Sequence, residues 1–594
     1  MKTLVTRKPL FLLLLPLVFL AAGPPDAPVA DAAQRGDLDA VREMLRRGAD
    51  VNASQADGMT ALHWAAERGD VELTEMLLFA DANPGARTRN GHYTPLHLAA
   101  RAGQTGTVTL LVEDGAALDA GSRHGATALH FAAGSGIVST VEALLAGGAE
   151  VDARERAYDQ TPLMWAAAED HVAVVERLLA GGADPSLFSR VEDIAARAEA
   201  DERRLRLRNL RVDAVTALRD AEEAGEDVSL EDVGVERTIE AFQENSDDEE
   251  EEAGEDEEAT EPEPLSYDEL VGKKGGLTPL HFAAREGGTE TALRLLAEGV
   301  DVNRVTEGDR SSPMLLAVIN GHFDLARELL DRGGDPNLTS VAGASPLYVA
   351  IDLQWHPKSI YPSPQHHEQQ EHDYLDLMGA LLDAGADPDV RLEKTLWYTE
   401  YNFERLSVEF AGATPFWRAA YGQDVEAMKL LVEYGADPTI PTKRMPERRF
   451  RGYDEEDVED PSGLPPVPLY GPAAYPVHAA TGIGFGEGYA GGFHEGAPNG
   501  WLPAVRYLVE EHGADVNARD VNGYAPLHHA ASRGDVATIR FLVEHGAEVT
   551  LVSRRGQTTA DMANSPVQRV PVHEEALALL ESLGAENNHN CQVC

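Results

Sequence analysis

The chain has 594 residues, of which 101 are acidic and 50 are lysine or arginine, for a formal charge of −51. That balance argues against a nucleic-acid binder, whose footprint is a basic patch, and predicts that the folded parts repel polyanions and anionic lipid surfaces. Only two cysteines occur, Cys591 and Cys594 at the very end, so the body of the protein is expected to stand without disulfides.

Residues 1–22 carry Lys2, Arg7 and Lys8, then an apolar stretch from Phe11 to Ala22 interrupted by Pro16, with small residues before Pro24 and Pro25. This is the pattern of a cleaved export signal, and the stretch is short for a membrane span. A retained signal anchor is the alternative. Export places the mature protein in the periplasm or outside the cell, with no stable membrane insertion after cleavage.

A period follows. Thr60-Ala61-Leu62-His63 recurs as Thr94-Pro95-Leu96-His97, as Thr127-Ala128-Leu129-His130, as Thr161-Pro162-Leu163-Met164 and as Thr278-Pro279-Leu280-His281. Within one unit, Asp57-Gly58 makes a turn and Thr60 caps a short helix by accepting from a free backbone N–H. Leu62, Ala65 and Ala66 are its apolar side, and Gly69 ends it. Val71, Leu73, Met76, Leu77 and Leu78 line a second helix at helical spacing.

The phrase and its period resemble the ankyrin repeat family. The resemblance implies an all-α repeat solenoid of about twelve units including caps, with β-hairpin-like loops. It implies a protein–protein binding scaffold, ordinarily without catalysis, whose face is the concave side made by finger tips and first helices. It also implies that His63, His97, His130, His281, His478 and His528 tie together backbone loops of adjacent units. Standing one per unit, these histidines do not form the tight cluster that zinc requires. The neighbouring aromatics Trp64, Phe131, Trp165 and Phe282 are expected to pack between stacked first helices, a binding surface being the other reading.

Residues 29–190 form a first arm, a polar-faced cap unit and four regular units. Residues 191–275 break the beat. Their first part, 193–243, reads as helical with a basic patch at Arg203, Arg204, Arg206 and Arg208. The rest turns acidic: twelve of the seventeen residues from Asp247 to Glu263 are Asp or Glu. Such a run repels itself and reads as a disordered, solvated linker between arms. The alternative is an acidic lure for a basic partner or a diffuse calcium binder, without an EF-hand loop.

A second arm, 276–585, is interrupted at 353–373, 391–411, 441–471 and 483–500. Those at 391–411 and 441–471 fall where one unit passes to the next, and the other two fall between the two helices of a unit. Long loops of this kind usually serve binding, and these are aromatic-rich. Trp355, Tyr361, Trp397, Tyr398, Tyr401, Phe485, Tyr489 and Phe493 are therefore the expected partner anchors. The plainer reading is that the loops cover apolar parts of the solenoid.

No cofactor or metal is expected. His356, His366, His367 and His372 match no zinc spacing, and the Gly-rich run at 482–500 lacks the phosphate-loop pattern. The polar tail 586–594 ends in a CxxC pair, Cys591 and Cys594, read as a local disulfide or a chain-to-chain link rather than a redox centre. The functional expectation is an exported bacterial ankyrin-repeat scaffold, non-catalytic and monomeric, binding a protein through its concave face and inserted loops. The alternatives are a secreted host-directed or envelope-stress modulator of a partner enzyme, and an enzyme whose site the inserted loops build.

Overall fold

The computed structural model describes residues 27–224, 262–356, 366–396, 408–446, 460–485, 496–567 and 570–589. The chain divides into two compact units: Met1–Ala166 with Ala173–Asp184, and Ala167–Val172 with Pro185–Cys594. The described residues are an all-α series of stacked helix pairs, about a dozen, as the period predicts.

The first unit contains the pairs Pro28–Arg35 and Leu38–Arg46, Ala61–Arg68 and Val71–Phe79, Pro95–Arg101 and Thr105–Glu113, and Ala128–Ser135 and Val138–Ala146. Leu62, Ala65, Ala66, Leu73 and Leu77 are fully buried, so each pair closes its apolar side against the pairs beside it. The alanines matter because a short side chain lets first helices approach closely. Gly69 ends its helix in the left-handed region, φ 70°, where a Cβ is strained.

A second set of contacts joins the loops after the second helices. Asn52 Oδ1 accepts from the backbone N–H of Asn83 (2.7 Å), and Asn52 Nδ2 donates to the Asp81 carbonyl (3.1 Å). Asp119 and Asp152 make the same rung to Glu150 and Asp184. In the second unit the rungs run from Asn303 to Asp335, Asn337 to Asp387, Asp389 to Asp437 and Asn517 to Glu548. Each satisfies a backbone N–H that would otherwise need water.

The second unit contains seven pairs, from Pro279–Glu286 with Thr289–Ala297 to Thr559–Ala563 with Glu574–Ser582. The ladder has a gap here, as it does in the first unit at Gly85, which has no side chain to offer the next loop. Thr439 stands where other loops place Asn or Asp, and its hydroxyl turns back to Asp437 Oδ1 (2.6 Å). The second helix of the next pair, Trp501–Arg506, continues as a π-turn over Tyr507–Glu511. A pocket of about 410 Å³ opens at this seam, lined among others by Thr439, Pro476, Leu508, His512 and Asp515.

The stretch 191–275 is anchored by its own ends. Strand β1 (Val191–Asp193) pairs antiparallel with β2 (Lys273–Gly275), with Val191 opposite Gly275. The N–H of Ser189 donates to the Leu277 carbonyl (2.9 Å), so the chain leaves and rejoins the second unit at one finger. A 31-residue helix, Ile194–Ala224, follows β1. Its arginines are paired locally: Arg203 with Glu199, Arg204 with Asp201 and Arg206 with Glu202.

Candidate functional site

The fingers of the first unit from Tyr93 onward are set by the histidine of the preceding first helix. In the first unit the N–H of Thr94 donates to His97 Nδ1 (3.0 Å), and His97 Nε2 meets the Ala126 carbonyl (3.1 Å). His63 and His130 do the same with the carbonyls of Tyr93 and Gln160, both at 3.0 Å. A ring nitrogen that accepts from N–H on one side and faces a carbonyl on the other must be the neutral Nε2–H tautomer. Burial favours that form and pushes the His97 pKa down to about 4. The threonine's role is therefore wider than the expected cap: its hydroxyl sits 2.8 Å from the same Nδ1. These histidines are structural, as the resemblance implies.

The fingers are tied to one another tip by tip. The N–H of Arg89 donates to the Asp57 carbonyl (2.7 Å), that of Arg123 to Gly91 (2.7 Å) and that of Arg156 to His124 (2.6 Å). Gly58 and Gly125 make the close approach possible. Both have φ near 87°, and a Cβ on either would lie 2.7 Å from the next finger's arginine nitrogen. The three equivalent tip positions are thus all arginine, and all three are exposed. Arg87, His92 and His124 are exposed beside them. A chain of charge −51 therefore carries a basic edge, which the net charge concealed.

Next to that edge lies a row of half-buried aromatics, Tyr93 in a finger and Phe131 and Trp165 on first helices. Tyr93 meets Phe131 edge-on at 5.7 Å, and Phe131 meets Trp165 at 5.7 Å. The indole N–H of Trp64 donates to Gln55 Oε1 (2.9 Å). The rings pack from one first helix to the next, as expected, and still present part of each ring outward.

The second unit treats its finger edge differently. The equivalent tip positions are Glu307, Val341, Glu393, Lys443, Val521 and Arg554. Arg554 is covered: its guanidinium holds Asp460 Oδ2 (2.6 Å) and the carbonyls of Pro465 (2.6 Å) and Val521 (2.9 Å). Arg444 holds the Val467 carbonyl (2.8 Å). The segment 460–468 carries no helix or strand and lies along these fingers.

Of the expected anchors, Trp355 and Phe485 are among the described residues. Trp355 is half-buried at the end of the helix Pro346–Trp355, and its indole N–H donates to Asp424 Oδ2 (2.8 Å). Tyr374 donates to the same oxygen (2.5 Å), while Asp424 Oδ1 caps the next second helix through the Ala427 N–H (3.0 Å). A Cβ on Gly422 would strike the Trp355 ring at 2.7 Å. Trp355 thus joins two repeats, a packing partner that its place beside an insertion does not reveal. Phe485 is half-buried just after the helix Pro476–Thr481. Tyr361, Trp397, Tyr398, Tyr401, Tyr489, Phe493, Cys591 and Cys594 lie outside the described residues, as does the export-signal stretch.

Sequence reasoning missed a buried ion pair and a buried His–Asp contact. Arg418 Nε donates to Asp352 Oδ1 (2.5 Å), with both side chains 2% exposed, and the guanidinium lies 5.5 Å over the Tyr421 ring. His529 Nε2 is 3.0 Å from Asp520 Oδ2, with both side chains fully buried. Burial raises the Asp520 pKa to about 6. The only signal was substitution: Arg418 and His529 occupy the position that holds Trp64 and Phe131 elsewhere. Among the described residues no group of three or more His, Cys, Asp or Glu is placed to hold a metal. His372 pairs with Asp324 (2.8 Å) and His356 with the Leu353 carbonyl (2.7 Å). No helix among them is long and apolar enough to cross a membrane.

Family models for ankyrin repeats match residues 29–122, 117–189 and 265–340 (three copies), 493–543 (many copies) and 411–443 (a single repeat), together more than half of the chain. The chain is 28% identical over 311 residues to the B-cell lymphoma 3 protein homolog of Mus musculus, covering 51% of this chain and 52% of that one. It is 26% identical over 278 residues to alpha-latrocrustotoxin-Lt1a of Latrodectus tredecimguttatus, covering 46% and 14%. It is 36% identical over 76 residues to the BCL-6 corepressor-like protein 1 of Homo sapiens, covering 13% and 4%. The chain therefore spans at most about half the length of these relatives.

Proposed function

Because the chain belongs to the ankyrin-repeat family, we propose that it acts as a protein-binding scaffold without catalysis of its own. The observation that carries this reading is the first unit's rigid edge. Its fingers are locked to one another by backbone bonds, His63, His97 and His130 are consumed in that locking, and its exposed tip groups include three arginines beside half-buried rings. Such a surface is preorganised for a macromolecule and offers no nucleophile–base pair. The relatives' names tell different stories, a toxin and a corepressor-like protein among them, so the shared element is the repeat rather than one partner.

Two finer parts belong to the same proposal. Residues 1–22 have the composition of an export signal, which supports a periplasmic or secreted bacterial scaffold. The insertions between 353 and 500 supply aromatic residues suited to a second contact region. Cross-linking mass spectrometry on the full chain purified from its native extract tests the whole reading. The expected result is a co-purifying polypeptide cross-linked to residues 57–165 or 353–500. Substrate turnover that disappears on deleting 353–373 or 483–500 would favour the enzyme reading instead.

A further inference from the structure

The finger edge of the second unit shows how such an edge holds a chain. Residues 460–468 run along it without secondary structure, Asp460 pairs with Arg554, and backbone carbonyls of the segment accept from Arg554 and Arg444. Asp460 is held below the usual carboxylate range by the Ser462 hydroxyl and N–H first, and by Arg554 as well. The first unit has the same architecture with more charge. Arg89, Arg123 and Arg156 occupy its three successive tips and all are exposed.

We propose that the first unit's finger edge binds an extended, acidic segment of a partner protein, with a carboxylate at every third position facing Arg89, Arg123 and Arg156. The register follows from two lengths. Packed helices, and so successive fingers, are spaced by roughly 10 Å. A polyproline II-type extended chain has three residues per turn and advances about 3.1 Å per residue, so its every third side chain turns to the same side and meets the next finger. Arginine suits the task because its planar fork engages a carboxylate with two parallel bonds. Arg89 already donates one bond to the Ala56 carbonyl (2.8 Å), which fixes its direction and leaves other N–H groups for a ligand. The adjoining row of Tyr93, Phe131 and Trp165 gives apolar side chains of the same segment a place to lie. Nucleic acid fits poorly: the edge is narrow, and the whole chain's −51 charge repels a long polyanion.

This proposal rests on the scaffold reading and specifies its partner chemistry. The test uses the full chain and fluorescein-labelled synthetic peptides, read by anisotropy. One peptide carries glutamate at every third position among leucine and serine, a second carries the same glutamates at every other position, and a third has glutamine in their place. The first peptide should bind about tenfold tighter than either of the others. The triple variant R89Q/R123Q/R156Q should erase that preference with an unchanged melting temperature, and raised salt should weaken binding to the native chain. Equal binding of all three peptides, an unaffected triple variant, or tighter binding of a single-stranded oligonucleotide each overturns the proposal. If no peptide binds while cross-links map a partner to 353–500, the finger proposal fails and the scaffold reading stands. If no partner cross-links anywhere, the scaffold reading falls too.

Discussion

The first unit repeats one solution; the second modifies it at nearly every turn. In the first, the first helices after the cap bury alanine and leucine, and their buried polar groups include a histidine locked to the next finger. In the second, a buried ion pair and a buried His–Asp contact enter the core, and part of the finger edge is covered by the chain itself. The difference teaches what the repeat tolerates. The first-helix position after the histidine can hold a tryptophan or an arginine, provided the neighbouring repeat changes with it.

The largest expected effect breaks that compensation. Asp352→Ala leaves a buried guanidinium without its carboxylate and should cost about 3–5 kcal/mol, read as a lower urea midpoint of the second unit's transition. The double variant D352L/R418M should recover most of the loss, because apolar groups of similar volume replace a buried pair at little cost. If D352A is neutral, the pair is not the compensation claimed for it.

The second effect is pH dependence. His97, whose folded pKa is about 4 against an ordinary 6.5, binds fewer protons folded than unfolded between those values. Its stabilisation is complete above pH 6.5 and is lost as pH falls toward 4, by up to about 3 kcal/mol. His63 and His130 are shifted in the same direction by burial. Asp520 has the opposite sign. Raised from 3.8 to about 6, it contributes most below pH 3.8, and that contribution is lost as pH rises through 6. His528, in the same stretch as Asp520, is pushed down to about 3 by burial and works against it, whereas residues 60–135 hold three lowered histidines and no raised carboxylate. Hydrogen exchange followed by peptide between pH 7 and 5 should therefore show protection of 60–135 falling more than that of 520–545. Equal losses would contradict the contrast.

Two smaller effects sharpen it. Gly125→Ala forces a Cβ into the left-handed region and against the Arg156 nitrogen, and should cost about 2 kcal/mol, seen in thermal melts. Thr439→Asn should restore the missing rung to the Asp515 loop and stabilise the second unit by about 1 kcal/mol. If it does not, the π-turn at Tyr507–Glu511 rather than residue 439 opens the seam.

Much of the fold was legible because its causes are local and repeated. Thr60, Leu62, His63, Ala65 and Gly69 each act through the next few residues or the adjacent repeat, so a periodic sequence reports them directly. The site was less legible. Trp355 looked like an anchor because it borders an insertion, yet Asp424, 69 residues later, engages it. The basic edge was hidden because charge summed over the chain says nothing about where arginines stand.

By itself, then, the sequence determined the helix pairs, their caps, the histidine positions and the places where the beat breaks. Periodicity is a one-dimensional signal, and stacking neighbours is nearly a one-dimensional problem. Only the tertiary structure decided that Arg89, Arg123 and Arg156 share one edge, that Arg418 finds Asp352, and that 191 and 275 meet at one finger. Those pairings join residues 32 to 84 positions apart, through backbone bonds and burial that no residue type announces.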